Sequence, residues 1–344
     1  MSERLGKVQT VQKLIDPSEL GHTQPHEHLL VNLLPPPLRG RPGKPIRLET
    51  LGRLRRHWTD HLDNLCLTSE ETAIEEMQAY KAAGGGTLVD VSCNDFDMGR
   101  SPEGLVRIAR EAGVHVIMGS GYYIAANHAP EVQRSSEEEL AEHICGEIID
   151  GVNGAGIKCG IIGEMGLSSP VEPNEEKALR AAVAAQKQTG AGLTIHPGRD
   201  SASPMEAVQI VRQAGGDLER TIICHIDRTL FSLKDMLHLA ETGCYLEFDL
   251  FGEESSFYPL APIDMPNDAT RIDYLMQLMK AGYADKILIS QDICSKHRLT
   301  KFGGEGYGHI LQNVLPLMQR KGMSDDDIQN IVVKNPARIL TFVL

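Results

Sequence analysis

Short apolar, β-branched runs ending in polar residues alternate along the chain with longer segments whose apolar positions recur at helical spacing. The runs cover residues 22–28, 87–92, 114–120, 158–164, 193–196, 221–225, 244–249 and 287–292, eight candidate strands. Helical periodicity fills residues 70–83, 102–112, 137–150, 174–189, 204–214, 232–242, 269–281 and 307–320, so each strand has a helix behind it. Gly84, Gly113, Gly190, Gly215, Gly243 and Gly282 stand just past the last periodic residue of a helix, where a left-handed backbone favours glycine. Strands alternating with helices predict a parallel sheet. Eight such units, with no glycine-rich nucleotide fingerprint after the first strand, predict an α/β protein of the closed (β/α)8 or TIM-barrel type rather than an open sheet.

Two segments fall outside the eightfold pattern. Residues 34–47, with PPPLRGRPGKPIR, hold too much proline and glycine for a helix and predict a long loop over the catalytic face. The end of the chain, residues 324–344, predicts a capped helix, a break before Pro336 and a short closing helix. With no linker or sequence repeat beyond the strand–helix period, residues 1–344 read as a single domain.

Composition narrows the function classes. A chain of 344 residues with 41% hydrophobic and 24% charged content can bury a large core. A net charge of −13 gives no general attraction for a phosphate backbone or an anionic membrane, so neither nucleic acid nor membrane is an expected partner. The 7 cysteines are scattered and form no CxxC pair, the pattern of reduced thiols in the cytosol. No apolar leader region follows the first basic residues, and no run approaches the length of a membrane span, so a cytoplasmic protein is expected.

Metal-ligating residue types fall at the strand ends. In TQPHEH, His26 and His28 are two apart and share a face of an extended segment. Glu164 ends the fourth run, His196 the fifth, His225 the sixth and Asp292 the eighth. Catalytic groups of such barrels converge at the C-terminal ends of the strands. Four histidines and two carboxylates exceed the needs of one tetrahedral ion and predict two divalent metals, zinc by preference, with Glu164 as the bridging carboxylate. A water shared between two such ions is acidified towards neutral pH and becomes a nucleophile. His57 and His61, four apart in RHWTDHLD, read instead as surface residues on one helical face.

The runs GKVQTV, TQPHEH, IKCGIIGEMG, HPGR, CHIDRT, GCYLEFDLFG, DMPND, GGEGYGHIL and NPARIL resemble the phosphotriesterase family of the metal-dependent amidohydrolase superfamily. The resemblance spans nearly the whole chain. It implies that His26 and His28 hold the more buried metal, that His196 and His225 hold the more exposed one, and that Asp292 is a ligand with an acid/base role. Bacterial phosphotriesterases bridge their metals with a carboxylated lysine; this chain carries Glu164 there, which takes organophosphate triesters out of the leading position as substrates. Homodimers are common among the proteins it resembles.

Loops after the ligand-bearing strands carry Arg199, Arg228, Lys296 and Arg298, which suit a substrate with a carboxylate or sulfonate tail. They read equally well as ion-pair partners of nearby acids such as Asp200 and Asp227. Tyr122, Tyr123 and Asn94 are further pocket candidates. The branch resembled implies hydrolysis of small N-acyl amines with an anionic head group, N-acetyltaurine foremost, to taurine and acetate. A lactonase or weak phosphotriesterase is the alternative within enzymes, and a catalytically inactive metal-binding scaffold the alternative outside them.

Overall fold

The computed structural model describes residues 3–93 and 98–344. Eight strands, β1 (His22–Glu27), β2 (Gly85–Asp90), β3 (His115–Ser120), β4 (Ile161–Gly166), β5 (Leu193–His196), β6 (Thr221–Ile223), β7 (Tyr245–Phe248) and β8 (Ile287–Ile289), lie side by side in chain order. Every pairing along the series is parallel. Between β8 and β1 the barrel is drawn together by side chains. Ser290 Oγ donates to the His26 carbonyl at 2.8 Å, and the Gln291 and Ile293 amides donate to the Glu27 carboxylate at 2.7 and 2.8 Å.

Strand alternation sorts the core into two layers. Val89, Ile117, Ile161, Ile222 and Leu288 cluster inside the barrel, with Val8, Leu20 and Ile339 at its floor. The intervening residues, such as Leu88, Val116, Ile195, Ile223, Leu246 and Ile289, pack outward on helices that include Pro102–Ala112, Pro173–Thr189 and Ser203–Gln213. Gly113 and Gly190 end the first two of these with φ of 66° and 69°, the left-handed positions expected from the sequence.

The excursion after β1 covers the C-terminal mouth. It holds a short antiparallel pair, Val31–Asn32 with Cys66–Leu67, and a helix over Leu48–Leu54 that adds to the predicted elements. Leu34, Trp58 and Leu65 pack there against Leu250, Tyr258 and Met265, which follow β7. His57 and His61 are not on one helical face: His61 is extended, with φ −116° and ψ 106°, because the chain turns through Trp58–Asp60. At the C-terminus the expected break before Pro336 is replaced by a π-helical turn, Asn330–Lys334, that runs straight into helix Asn335–Leu340. A widened turn makes room for a proline ring that a regular α-turn would crowd. The same device precedes Pro316, after Ile310–Val314.

Candidate active site

Strand ends deliver the six predicted ligands to one place, but by three different local devices. At the end of β1, where the pairing with β2 is irregular between Gln24 and Glu27, His26 and the following His28 come to the centre with rings 5.9 Å apart. On β4 the pairing with β5 slips between Ile162 and Met165, and that irregularity turns Glu164 inward while Met165 joins the outer core. Gly163, just before it, has φ of 113°, and an added Cβ would run into the Thr194 carbonyl, so only glycine fits. Strands β6 and β8 stop at Ile223 and Ile289, short of the predicted ends. His225 and Asp292 then reach the site through left-handed backbone, with φ of 55° and 49°. Non-glycine residues held this way cost of order 1–3 kcal/mol each, and such outliers cluster at functional sites.

The polar atoms of these six residues face one another. Nδ1 of His196 lies 3.0 Å from Oε2 of Glu164, and Nε2 of His225 lies 3.6 Å from the same oxygen. Nε2 of His28 lies 3.5 Å from Oε1 of Glu164 and 3.3 Å from Oδ1 of Asp292. Nε2 of His26 stands 3.7 Å from Glu164 and 3.8 Å from Asp292, buried and without a hydrogen-bond partner. An orphaned imidazole nitrogen in a ring of carboxylate oxygens suits a cation. The sets His26, Glu164, His225 and His26, His28, Asp292 each bring their ligand atoms within 4.8 Å of one another, close enough to hold a metal ion.

Behind these groups the outer ring nitrogens are fixed. Nδ1 of His28 meets Ser92 Oγ at 2.9 Å, Nδ1 of His225 meets Asp249 at 2.7 Å, and Nδ1 of His26 meets Glu247 at 3.1 Å. Such partners set which nitrogen faces a metal and how the ring is aimed. Ser92, Glu247 and Asp249 are site residues that the sequence reading did not name. The signal was present in YLEFDL, where two acids two apart interrupt an apolar strand and must share its inner face.

Electrostatics agree with an excess of negative charge. Burial would push Glu164 up, but bonds from His196 and His225 hold it well below the carboxylate range. Burial likewise opposes ionisation of Asp292, and His28, His26 and His225 bring it down to about 2. Asp249 is pushed well above its ordinary range, first by burial and also by Glu247, Asp227 and Asp292, with His26 opposing. His196 is lowered to about 4 by burial, against the pull of Glu164. Glu164, Glu247, Asp249 and Asp292 have only histidines as ion-pair partners among the described residues.

The cluster forms the floor of a cavity of about 320 Å³ whose upper wall is apolar, with Leu33, Leu38, Trp58, Leu65 and Leu250. Residues 35 and 38 of the predicted loop line it, so the loop does overhang this face. Of the predicted substrate cations, Arg199 and Arg228 reach the cavity. Arg228 is 2% exposed and places Nη2 3.2 Å from Nε2 of His196. Arg199 stands beside the hydroxyls of Tyr258 and Tyr123, and its Nε is buried without a partner. Tyr123 lines the cavity 4.9 Å from the His196 ring, whereas Tyr122 packs into the core.

Lys296 and Arg298 do not line the cavity. Lys296 is held by Asp63 at 2.7 Å. Arg298 is occupied by Glu305, by Glu253 and by the carbonyls of Gln291 and Phe251. Asp227, the expected neighbour of Arg228, is taken instead by Arg271 at 2.6 Å. Asn94 lies outside the described residues.

Comparison with known proteins places this geometry. The model of the phosphotriesterase family matches residues 6–340. A relative named N-acetyltaurine hydrolase from Homo sapiens is 43% identical, over 99% of this chain and 100% of its own length. One of the same name from Danio rerio is 41% identical over the same shares. A resiniferatoxin-binding protein from Rhodobacter sphaeroides is similar in structure, with a TM-score of 0.91 and 34% identity, covering 97% of this chain and 95% of its own.

Proposed function

Because the chain belongs to the phosphotriesterase family of metal-dependent hydrolases, we propose that it cleaves small N-acyl amines bearing an anionic head group, N-acetyltaurine foremost, to taurine and acetate. The observation that carries this reading is the convergence of six ligand-type side chains at the floor of a cavity whose wall holds Arg199 and Arg228. Residues 1–344 act as one hydrolase domain, and seven unpaired cysteines support a cytosolic setting. No helix among the described residues is long and apolar enough to cross a membrane.

His26 and His28 would hold one ion, His196 and His225 the other, with Glu164 bridging and Asp292 at the first. Zinc suits this mixed imidazole and carboxylate set. Two such ions, when bound, acidify a shared water and polarise the scissile carbonyl. The orphaned Nε2 of His26 and the four carboxylates fit that cargo.

The protein's own groups then divide the work. Arg199, beside Tyr123 and Tyr258, offers a planar fork to a sulfonate or carboxylate. That contact sets the acyl carbonyl over the carboxylates of Glu164 and Asp292. Arg228 borders His196 and can brace the same head group from below. Asp292, ionised at neutral pH, takes the proton of the attacking water and hands it to the departing nitrogen. An amide needs that transfer, because an unprotonated amine leaves poorly; the apolar wall excludes competing solvent.

The test couples elemental analysis to acetate release from N-acetyltaurine before and after chelation. About two ions per chain with chelator-sensitive release is expected. Faster turnover of an acyl-homoserine lactone or of paraoxon than of N-acetyltaurine would overturn the choice of bond.

A further inference from the structure

Glu247 sits at the inner face of β7, fully buried, in a position where an aliphatic residue would ordinarily complete the core. Its Oε2 lies 3.1 Å from Nδ1 of His26, and its Oε1 is buried with no partner among the described residues. His26 is its one ion-pair partner there. A buried carboxylate with a single imidazole as its ion-pair partner and one oxygen left unpaired carries an uncompensated desolvation cost. The cost falls if the far side of that ring carries positive charge, and the far side is Nε2, the orphaned atom aimed at Glu164 and Asp292.

We propose that Glu247 is a positioning residue of the metal centre: through the His26 ring it fixes the orientation of Nε2 and strengthens the ion held there. The inference rests on the metal reading above and concerns only the more buried ion. Asp249 cannot take over the task. Its Oδ2 is 3.6 Å from Nδ1 of His26, but its oxygens already accept the backbone amide and face Nδ1 of His225 at 2.9 and 2.7 Å. The outer partners of the four histidines thus differ in kind. A hydroxyl, Ser92, stands behind His28, whereas a carboxyl group, Glu247, stands behind His26.

The same residues suggest a rival arrangement. His26, Cys224, Glu247 and Asp249 have ligand-type atoms within 4.8 Å of one another and would make a further ion site. Two features oppose it. Both oxygens of Asp249 are engaged by His225, and the Cys224 thiol, buried and 2.9 Å from Thr194 Oγ1, is shielded from the thiolate form that ligation needs.

The experiment titrates zinc into the metal-depleted full-length protein against a competing chelator, reading both stepwise dissociation constants. It compares the parent with E247Q, which keeps the side-chain shape and an acceptor oxygen but not the charge. E247D keeps the charge but withdraws it from Nδ1 of His26, and should E247Q fail to fold it is expected to weaken the same step. Partners behind metal-bound histidines are worth about ten- to a hundredfold in affinity. One step of the E247Q titration is expected to weaken by that factor, with the other within about twofold, and hydrolysis is expected to recover as zinc is raised. Unchanged affinity at both steps overturns the inference, as does equal weakening of both, which would make Glu247 a general support of the barrel. Three ions in the parent and two in E247Q would make it a ligand instead. A parent that binds no ion at all would sink the metal reading itself, an outcome distinct from the others.

Discussion

Nε2 of His225 stands 2.8 Å from Nδ1 of His196, and both nitrogens face Oε2 of Glu164. Groups from the ends of β4, β5 and β6 thus meet at one point, though only His196 lies on a regular strand end. Two ring nitrogens so close can share one proton or one cation; a cation satisfies both lone pairs and the carboxylate together. Replacing His196 by alanine is expected to remove one of two ions and to lower kcat/KM by at least about a hundredfold, more than loss of a partner behind a ligand. Metal analysis of H196A that still finds two ions would contradict the assignment.

Metal removal is expected to destabilise the fold as well as silence it. Ions bound only by the native state at a hundredfold excess over their dissociation constant contribute about 2.7 kcal/mol each. Without them Glu164, Glu247, Asp249 and Asp292 face only histidines. Calorimetry with chelator should show a lowered Tm that zinc restores, and an unchanged Tm would argue that the cluster is stable by itself.

D292N separates ligation from proton transfer. The amide retains a carbonyl oxygen near His28 and loses the base, so hydrolysis of N-acetyltaurine is expected to fall by roughly 10²- to 10⁴-fold while most of the metal remains. Wild-type turnover in D292N would remove the role assigned to this carboxylate.

Arg199 sets the preference for an anionic head group. R199A is expected to raise KM for N-acetyltaurine by about ten- to a hundredfold, the range for a hydrogen bond to a charged group. Turnover of a neutral lactone should be little affected. Parallel losses on both substrates would mean that Arg199 holds the cavity together rather than the head group.

Arg271 and Asp227, both at 0% exposure and 2.6 Å apart, anchor the loop after β7. Arg271 also donates to the Glu253 carbonyl at 2.8 Å, and Glu253 lines the cavity. R271A leaves Asp227 buried and unpaired, which is expected to cost about 3–5 kcal/mol in urea unfolding.

The pH dependence of the metal-free protein should carry a signature of Asp268. Burial would raise this carboxyl, but His309 at 2.7 Å and Arg271 at 2.9 Å hold it below its ordinary value. A depressed folded value contributes stability above the unfolded value of about 3.9, and that contribution is lost as pH falls below it. D268N should therefore be less stable than the parent at pH 7, and the gap should close as pH falls from the unfolded value of about 3.9 through the lower folded one. A gap independent of pH would assign the effect to packing.

Hydrophobic alternation by itself determined the eight strands, the helix behind each and their parallel order, because periods of 2 and of about 3.6 are local properties that burial enforces everywhere. The ligand types at the strand ends were legible for the same reason: His26 and His28 share a face in the sequence spacing, and His196 ends a regular strand. Only the tertiary structure decided the rest. Glu164 faces inward through a register slip, and His225 and Asp292 through left-handed backbone that no glycine announces. Four cations looked equivalent along the chain, yet Lys296 and Arg298 are taken by Asp63 and Glu305, and only Arg199 and Arg228 face the cavity. A charge finds its partner across the fold, 233 residues away for Lys296, and such pairing has no local pattern from which to read it.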